Sequence, residues 1–452
     1  MLKRNLRIIL SAVFTVILAT VATAQGRQPY PNAVTDQLVR PETPMPVPDR
    51  NVVFTDPDFG SMMVRATDAS TNFKGPGTFL RTEGSGHASE WSADTKKFYV
   101  EGRGGQDLVF AFDPLKMAVS SLPQASSSQS FLLPLRPGPS FSLVDPDLIY
   151  GTAEPDTLTI VSYRFSSGVS APVLDTRTCG VQPALGSGPG VVSDDDVSLS
   201  EGDNRISISE GGPQFGKHMF VIVYDKTLGC RWYNTQTGLI GGQWGPSGTA
   251  TVGNNFLIRH ARLTRSGNYV RITTNSLAWY IWDLATLNVV SCPLDCGGYG
   301  SIGYNSYVSA PGKLDDMNFV KRPLSDPSQI APLVYPLPST GWEQEAHFSW
   351  NNVDVNDSTP VCASTYNYEG DSTIDQPFAG EILCIETDGL ASTVWRFAHD
   401  RATYVKPYFH TQPLGTISPD GRFFLFTSNW DDQLGIGTDG TPRSDVFIVK
   451  LD

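Results

Sequence analysis

The decisive stretch lies near the end of the chain: "FHTQPLGTISPDGRFFLFTSNWD", residues 409–431. It reads as strand, tight turn, strand, with Ser418-Pro419-Asp420-Gly421 as the turn. Set above other stretches, its segment "TISPDGRFFLFTS" (416–428) recurs. "EWSADTKKFYVEG" (90–102) and "RLTRSGNYVRITT" (262–274) align without a gap. Looser copies are "SFSLVDPDLIYGT" (140–152), "VSLSEGDNRISIS" (197–209) and "FSWNNVDVNDSTPVCAS" (348–364), the last with a longer turn. "SIGYNSYVSA" (301–310) is a degenerate copy.

The segment after each copy recurs as well. A third, apolar strand ends in Asp or a turn, as in "DLVFAFDPL", "HMFVIVYDKTLG" and "SDVFIVKLD". A more polar fourth strand usually comes next, such as "RWYNTQTG". Four short strands per unit, with almost no helical periodicity, predict an all-β fold, a single β-propeller of about seven four-stranded blades. A two-sheet sandwich is the alternative, and it would not need so many copies.

The ends of the chain predict closure of the ring. The chain stops at "SDVFIVKLD", a third strand without a fourth. Near the start, "VVFTDPDFGSMMVRATD" (52–68) reads as the end of a blade, so "SMMVRATD" is expected to supply the missing strand. That pairing removes an open sheet edge.

The first 24 residues read as a signal peptide: Lys3, Arg4 and Arg7, an apolar run from Ile8 to Ala22, and the site Ala22-Thr23-Ala24. An uncleaved membrane anchor is the alternative. Residues 25–51 form a proline-rich lead-in, and 52–452 the propeller. The expected location is therefore periplasmic or extracellular, with no transmembrane segment in the mature chain. Net charge is −13, which argues against nucleic acid as a partner.

Six cysteines in an exported chain favour disulfides. Cys292 and Cys296 are near enough to close a small loop. Cys362 and Cys384 fall on adjacent predicted strands, which leaves Cys179 and Cys230 for each other. Buried free thiols are the alternative reading.

The Ser-Pro-Asp-Gly turn with its flanking strands resembles the Tol-type, WD-like propeller repeat of bacterial exported proteins. "HTQPLGTISPDG" also resembles a region of the oligogalacturonate lyases. These are propellers that hold a divalent metal with histidines and a glutamine near the axis. By that resemblance Gln412 matches the glutamine, while Leu414 stands where a histidine is expected.

The residues carry a reading of their own. Three places before the reference column at Ile417, the copies have Leu414, His347, His260 and Asp196. His87 sits one place further out, and His410 and Gln412 precede the last inner strand. In a propeller these positions open toward one mouth of the channel. If they converge, His260, His347, His87, Asp196, His410 and Gln412 suit Mn²⁺, Ca²⁺ or Zn²⁺. A neutral histidine, His260 or His347, also suits a general base. Arg259 and Arg262 can hold a substrate carboxylate, with His87 and Gln412 as further substrate contacts, and Tyr299 can give a proton to a leaving oxygen. The plain alternative is that these histidines pin loops between blades. The loop residues Trp244, Trp342 and Trp430 can stack on sugars or pack between blades. "DDD" (194–196) is a calcium candidate or a solvated strand end.

These residues suit two functions. The first is a monomeric propeller that binds a glycan, or an extracellular or envelope protein, at the histidine-lined mouth. The second is a metal-assisted, oligogalacturonate-type lyase that cleaves uronic acid polymers by β-elimination.

Overall fold

The structure is a computed structural model. It describes residues 29–71, 78–83, 89–103, 105–122, 131–135, 138–152, 158–182, 192–193, 197–212, 218–252, 255–276, 278–292, 300–310, 319–335, 345–350, 354–366, 376–388 and 393–452.

These residues form seven antiparallel sheets, the blades of a propeller. Their innermost strands, in chain order, are Leu80–Arg81, Ser140–Phe141, Ser198–Leu199, Ile258–Leu263, Ser301–Ile302, Glu345–Ser349 and Gly415–Ile417. They begin blades 1 to 7. Several sheets exceed the expected four strands: blade 3 extends outward through Leu239–Gly242 and Gly248–Thr249, and blade 7 through Val53–Thr55.

One turn geometry explains why the copies align. In blade 7 the Ser418 hydroxyl donates to Asp420 Oδ1 at 2.6 Å and accepts from the Phe423 N–H at 3.0 Å. Gly421 sits at φ +71° and donates its N–H to the Ser418 carbonyl. Blade 1 repeats this with Ser92, Asp94 and the Lys97 N–H, and Thr95 takes the left-handed place at φ +61°. Blade 4 uses Thr264, Ser266 and Gly267, and blade 3 uses Ser200 with Asp203 at φ +54°. A short hydroxyl side chain that satisfies the backbone of the following strand is the shared device.

Closure occurs as expected. Met62–Arg65 pairs antiparallel with the last strand, Asp445–Lys450, in the register Met63↔Val449, Val64↔Ile448 and Arg65↔Phe447. The buried Arg65 guanidinium bonds Asp445 Oδ2 at 2.5 Å, which ties the two termini together inside the sheet. Blades 7 and 1 meet through Phe423 and Phe112, edge to face at 5.0 Å, and Trp91 Nε1 donates to the Thr416 carbonyl.

The lead-in from residue 29 is strapped across blades 6 and 7. Val34 bridges Arg396 of the strand Val394–His399. Arg396 is fully buried and forks onto Glu381 at 2.8 and 2.6 Å. Its third nitrogen reaches Asp36 Oδ1 and the carbonyls of Asp36 and Leu38. Arg401 Nη1 donates to Glu42 at 2.8 Å, and Trp430 Nε1 to the Met45 carbonyl at 3.1 Å. Proline-rich segments carry few backbone donors, and here arginine and tryptophan side chains supply them.

Two disulfides are described. Cys179–Cys230 links the turn after blade 2 to the strand Gly229–Asn234 of blade 3. Cys362–Cys384 joins directly opposed positions on adjacent strands of blade 6. Cys292 is also disulfide-bonded; its expected partner, Cys296, lies outside the described residues. Among the described residues no helix is long and apolar enough to cross a membrane.

Candidate functional site

His347 lies in the inner strand of blade 6 and is fully buried. Gln412 follows the short turn Phe409–Thr411 that leads into blade 7. Their side chains meet, His347 Nε2 to Gln412 Oε1 at 2.9 Å. With that oxygen as acceptor, Nε2 carries the proton. The imidazole lies parallel to the Tyr366 ring at 5.2 Å and edge-on to Phe409 at 5.8 Å. Burial pushes the imidazole down to about 3, with the nearby Arg81 adding to it against the Gln412 hydrogen bond. His347 is therefore a neutral donor at ordinary pH.

Blade 1 brings a charged group to the same region. Arg81 lies over the Phe409 ring at 5.7 Å and pairs with Glu101. Glu90 Oε1 accepts the Glu83 N–H at 2.7 Å, which draws two separated parts of the inner strand together. Burial, then the charge of Glu101, pushes Glu83 up to about 8, opposed by Arg81 and Arg262. Burial raises Glu90 well above the carboxylate range. None of these four residues stands out in the sequence reading. The available signal was Glu83 and Glu90 bracketing "GSGHAS", and Glu101 closing an otherwise apolar strand.

Blade 4 carries the arginines. Arg259 is the extra residue of a β-bulge between Ile258 and His260. Arg259 and His260 are half-buried, whereas Arg262 is buried and lies opposite Arg271 on the next strand.

Other candidates go elsewhere. His410 Nε2 bonds the Pro442 carbonyl at 2.9 Å, and its ring stacks on Phe79 at 4.1 Å. Leu414 is buried. Trp430 is buried and stacks on Phe447 at 4.8 Å, and Trp244 lies under Arg205 at 4.6 Å. His87, Asp196 with the rest of "DDD", Tyr299 and Trp342 lie outside the described residues.

No protein-family model matches the chain, and no curated protein matches it. Solved structures do resemble it. An oligogalacturonate lyase from Vibrio parahaemolyticus is 10% identical with a TM-score of 0.52, covering 92% of this chain and 98% of that one. An oligogalacturonate lyase in complex with manganese is 12% identical at the same TM-score of 0.52, covering 93% of this chain and 98% of that one. At such identity the likeness is one of fold.

The described donors do not fit a manganese ion. His347 and Gln412 offer one nitrogen and one oxygen, but His410 is turned onto Pro442 and Leu414 has no donor. Among the described residues no group of three His, Cys, Asp or Glu side chains is placed to hold a cation.

Proposed function

We propose that this chain is an exported, monomeric propeller that binds a glycan at the mouth of its channel. The observation that carries this reading is the buried His347–Gln412 pair, built from two blades and lying in the field of Arg81 from a third. Around it, Glu83, Glu90 and Glu101 add carboxyl groups, of which burial pushes Glu83 up to about 8 and raises Glu90. Phe409 and Tyr366 add ring faces. Donors, acceptors and aromatic rings drawn from neighbouring blades suit sugar hydroxyls and sugar faces. Export is supported by the reading of residues 1–24 and by the disulfides. The test is calorimetric titration of the purified chain with neutral and acidic oligosaccharides, beside an Arg81→Ala/Gln412→Ala variant. Saturable binding lost in the variant supports the reading. A folded wild type that binds no oligosaccharide sinks it and turns the search to an envelope protein.

The second reading, a uronate lyase, is favoured by one observation. Glu83 keeps its proton at neutral pH and lies within the influence of Arg262. In β-elimination, Arg259 and Arg262 would neutralise the uronate carboxylate and His260 would take the α-proton. The C–O bond then breaks, and Glu83 or Tyr299 would protonate the leaving oxygen. The product, an unsaturated uronate, absorbs in the ultraviolet. Release of that chromophore from oligogalacturonate, with and without added manganese or chelator, decides it. No chromophore under either condition removes the lyase and leaves binding.

A further inference from the structure

Blade 3 extends outward by two strands, Leu239–Gly242 and Gly248–Thr249, beyond the four that a propeller blade needs. Between these strands at the rim and the short turn Thr176–Cys179 that follows blade 2 runs a groove of about 630 Å³. That volume is in the range of small-ligand sites. The Cys179–Cys230 disulfide pins the turn to blade 3 and so holds the two walls together.

The groove is built from the strand pairing. Gly241 lies directly opposite Trp232, and a Cβ there would come 2.5 Å from the indole ring. The ring therefore covers that strand, and Trp232 and Leu239 give the groove its apolar part. Gln243 gives it a fixed donor. Its Oε1 accepts the Cys230 N–H at 2.7 Å, so its NH2 is the group left over, and that NH2 has no acceptor among the described residues. Gly229, at φ +87°, makes room for this arrangement, because a Cβ there would run into Oε1. Thr178, Gln182 and Ser247 complete the polar lining. Among the described residues no charged side chain lines the groove. An ion entering it would lose hydration and meet no countercharge. A lining of amide, hydroxyl and apolar groups suits a neutral polyhydroxylated ring.

We propose that this groove is a second saccharide site, specific for a neutral sugar unit. It lies at the outer rim of blade 3, away from the channel, and does not rest on the mouth reading. The two outer strands of blade 3 and the disulfide then serve one purpose, which is to hold Gln243 and Trp232 in a preformed groove.

The experiment is calorimetric titration of the full chain with neutral trisaccharides (cellotriose, xylotriose and maltotriose) and with trigalacturonate. It is run on wild type and on the mouth variant Arg81→Ala/Gln412→Ala. Saturable binding of a neutral trisaccharide is expected in both. Ser247→Trp, which fills the groove from an exposed position, should abolish that binding in the mouth variant. Gln243→Glu keeps the acceptor for Cys230 and loses the donor, and should weaken it about three- to tenfold. Should the mouth variant fold poorly, loss in Ser247→Trp on the wild-type chain reads the same site. No saturable binding of any neutral trisaccharide to wild type overturns the site, as does undiminished affinity in folded Ser247→Trp and Gln243→Glu. Trigalacturonate held as tightly as the neutral sugars in the mouth variant overturns the neutral assignment. Neutral binding lost in the mouth variant and kept in Ser247→Trp removes the groove and leaves the mouth reading. The opposite pattern, with no acidic sugar bound by wild type, keeps the groove and removes the mouth.

Discussion

His347 Nε2 and Gln412 Oε1 lie 2.9 Å apart across the boundary between blades 6 and 7. Burial holds the imidazole neutral down to about pH 3. In the unfolded chain the same group binds a proton near pH 6.5. Between those values the unfolded state holds more protons, so this histidine's contribution to stability is complete above about pH 6.5 and is lost as pH falls toward 3. The slope is about 1.4 kcal/mol for each pH unit. His347→Gln should flatten the acid limb of a urea-stability profile taken from neutral pH to about pH 4. An unchanged limb would show that His347 is protonated in the native protein.

Glu42 ties the lead-in to Arg401, and burial, with the neighbouring Asp431 adding to it, pushes its carboxyl up to about 8. A folded value above the unfolded one means the contribution is complete below about 4.5 and is lost as pH rises through 8. The lead-in should therefore become more open to protease as pH climbs from 6 toward about 9. In Glu42→Gln that dependence should disappear, because the amide keeps a hydrogen-bond acceptor for Arg401 and has no proton to lose. Limited proteolysis, with the mass of the trimmed chain as readout, measures this directly.

The two described disulfides close loops of different length, with separations of 51 for Cys179–Cys230 and 22 for Cys362–Cys384. On chain entropy alone, removing the first should cost about 4 kcal/mol and removing the second about 3 kcal/mol. Paired Cys→Ala variants in urea, with m-values compared, test the order. A larger loss at Cys362–Cys384 would mean that packing in blade 6 outweighs loop closure.

Thr95 occupies the left-handed turn position that glycine fills at Gly421, and its buried hydroxyl has no partner. A β-branched residue there is strained. Thr95→Gly should stabilise the protein by up to about 1 kcal/mol, and Gly421→Val should destabilise it by about 1–3 kcal/mol. Thermal unfolding of both variants checks the pair. Destabilisation by Thr95→Gly would show that the threonine methyl packs usefully.

The propeller was legible because its repeated turn is local. Ser418, Asp420, Gly421 and Phe423 satisfy one another within five residues, so the pattern survives in blades whose other residues differ. The closing strand was legible for a related reason: a third strand without a fourth needs an edge partner, and Met62–Arg65 is the strand that pairs with it. Aligning the copies also singled out His347 and Gln412, whose side chains the fold brings together. It suggested His410 as their companion, which instead packs on Phe79 because the short turn at Phe409–Thr411 rotates successive side chains to different sides.

By itself the sequence determined the strand pattern, the approximate blade number, the ring closure and the described disulfide pairs, all consequences of periodicity and short-range pairing. Only the tertiary structure decided which charges face one another. Glu83 and Glu90 hold their protons more tightly because the ring buries them beside Glu101, and Arg396 binds a lead-in about 360 residues earlier in the chain. Arg271 packs against rings from two blades, Trp279 and Tyr307. The physical reason is that a side chain's protonation and pairing depend on dielectric and on neighbours brought together by closure, and no spacing along the chain encodes either.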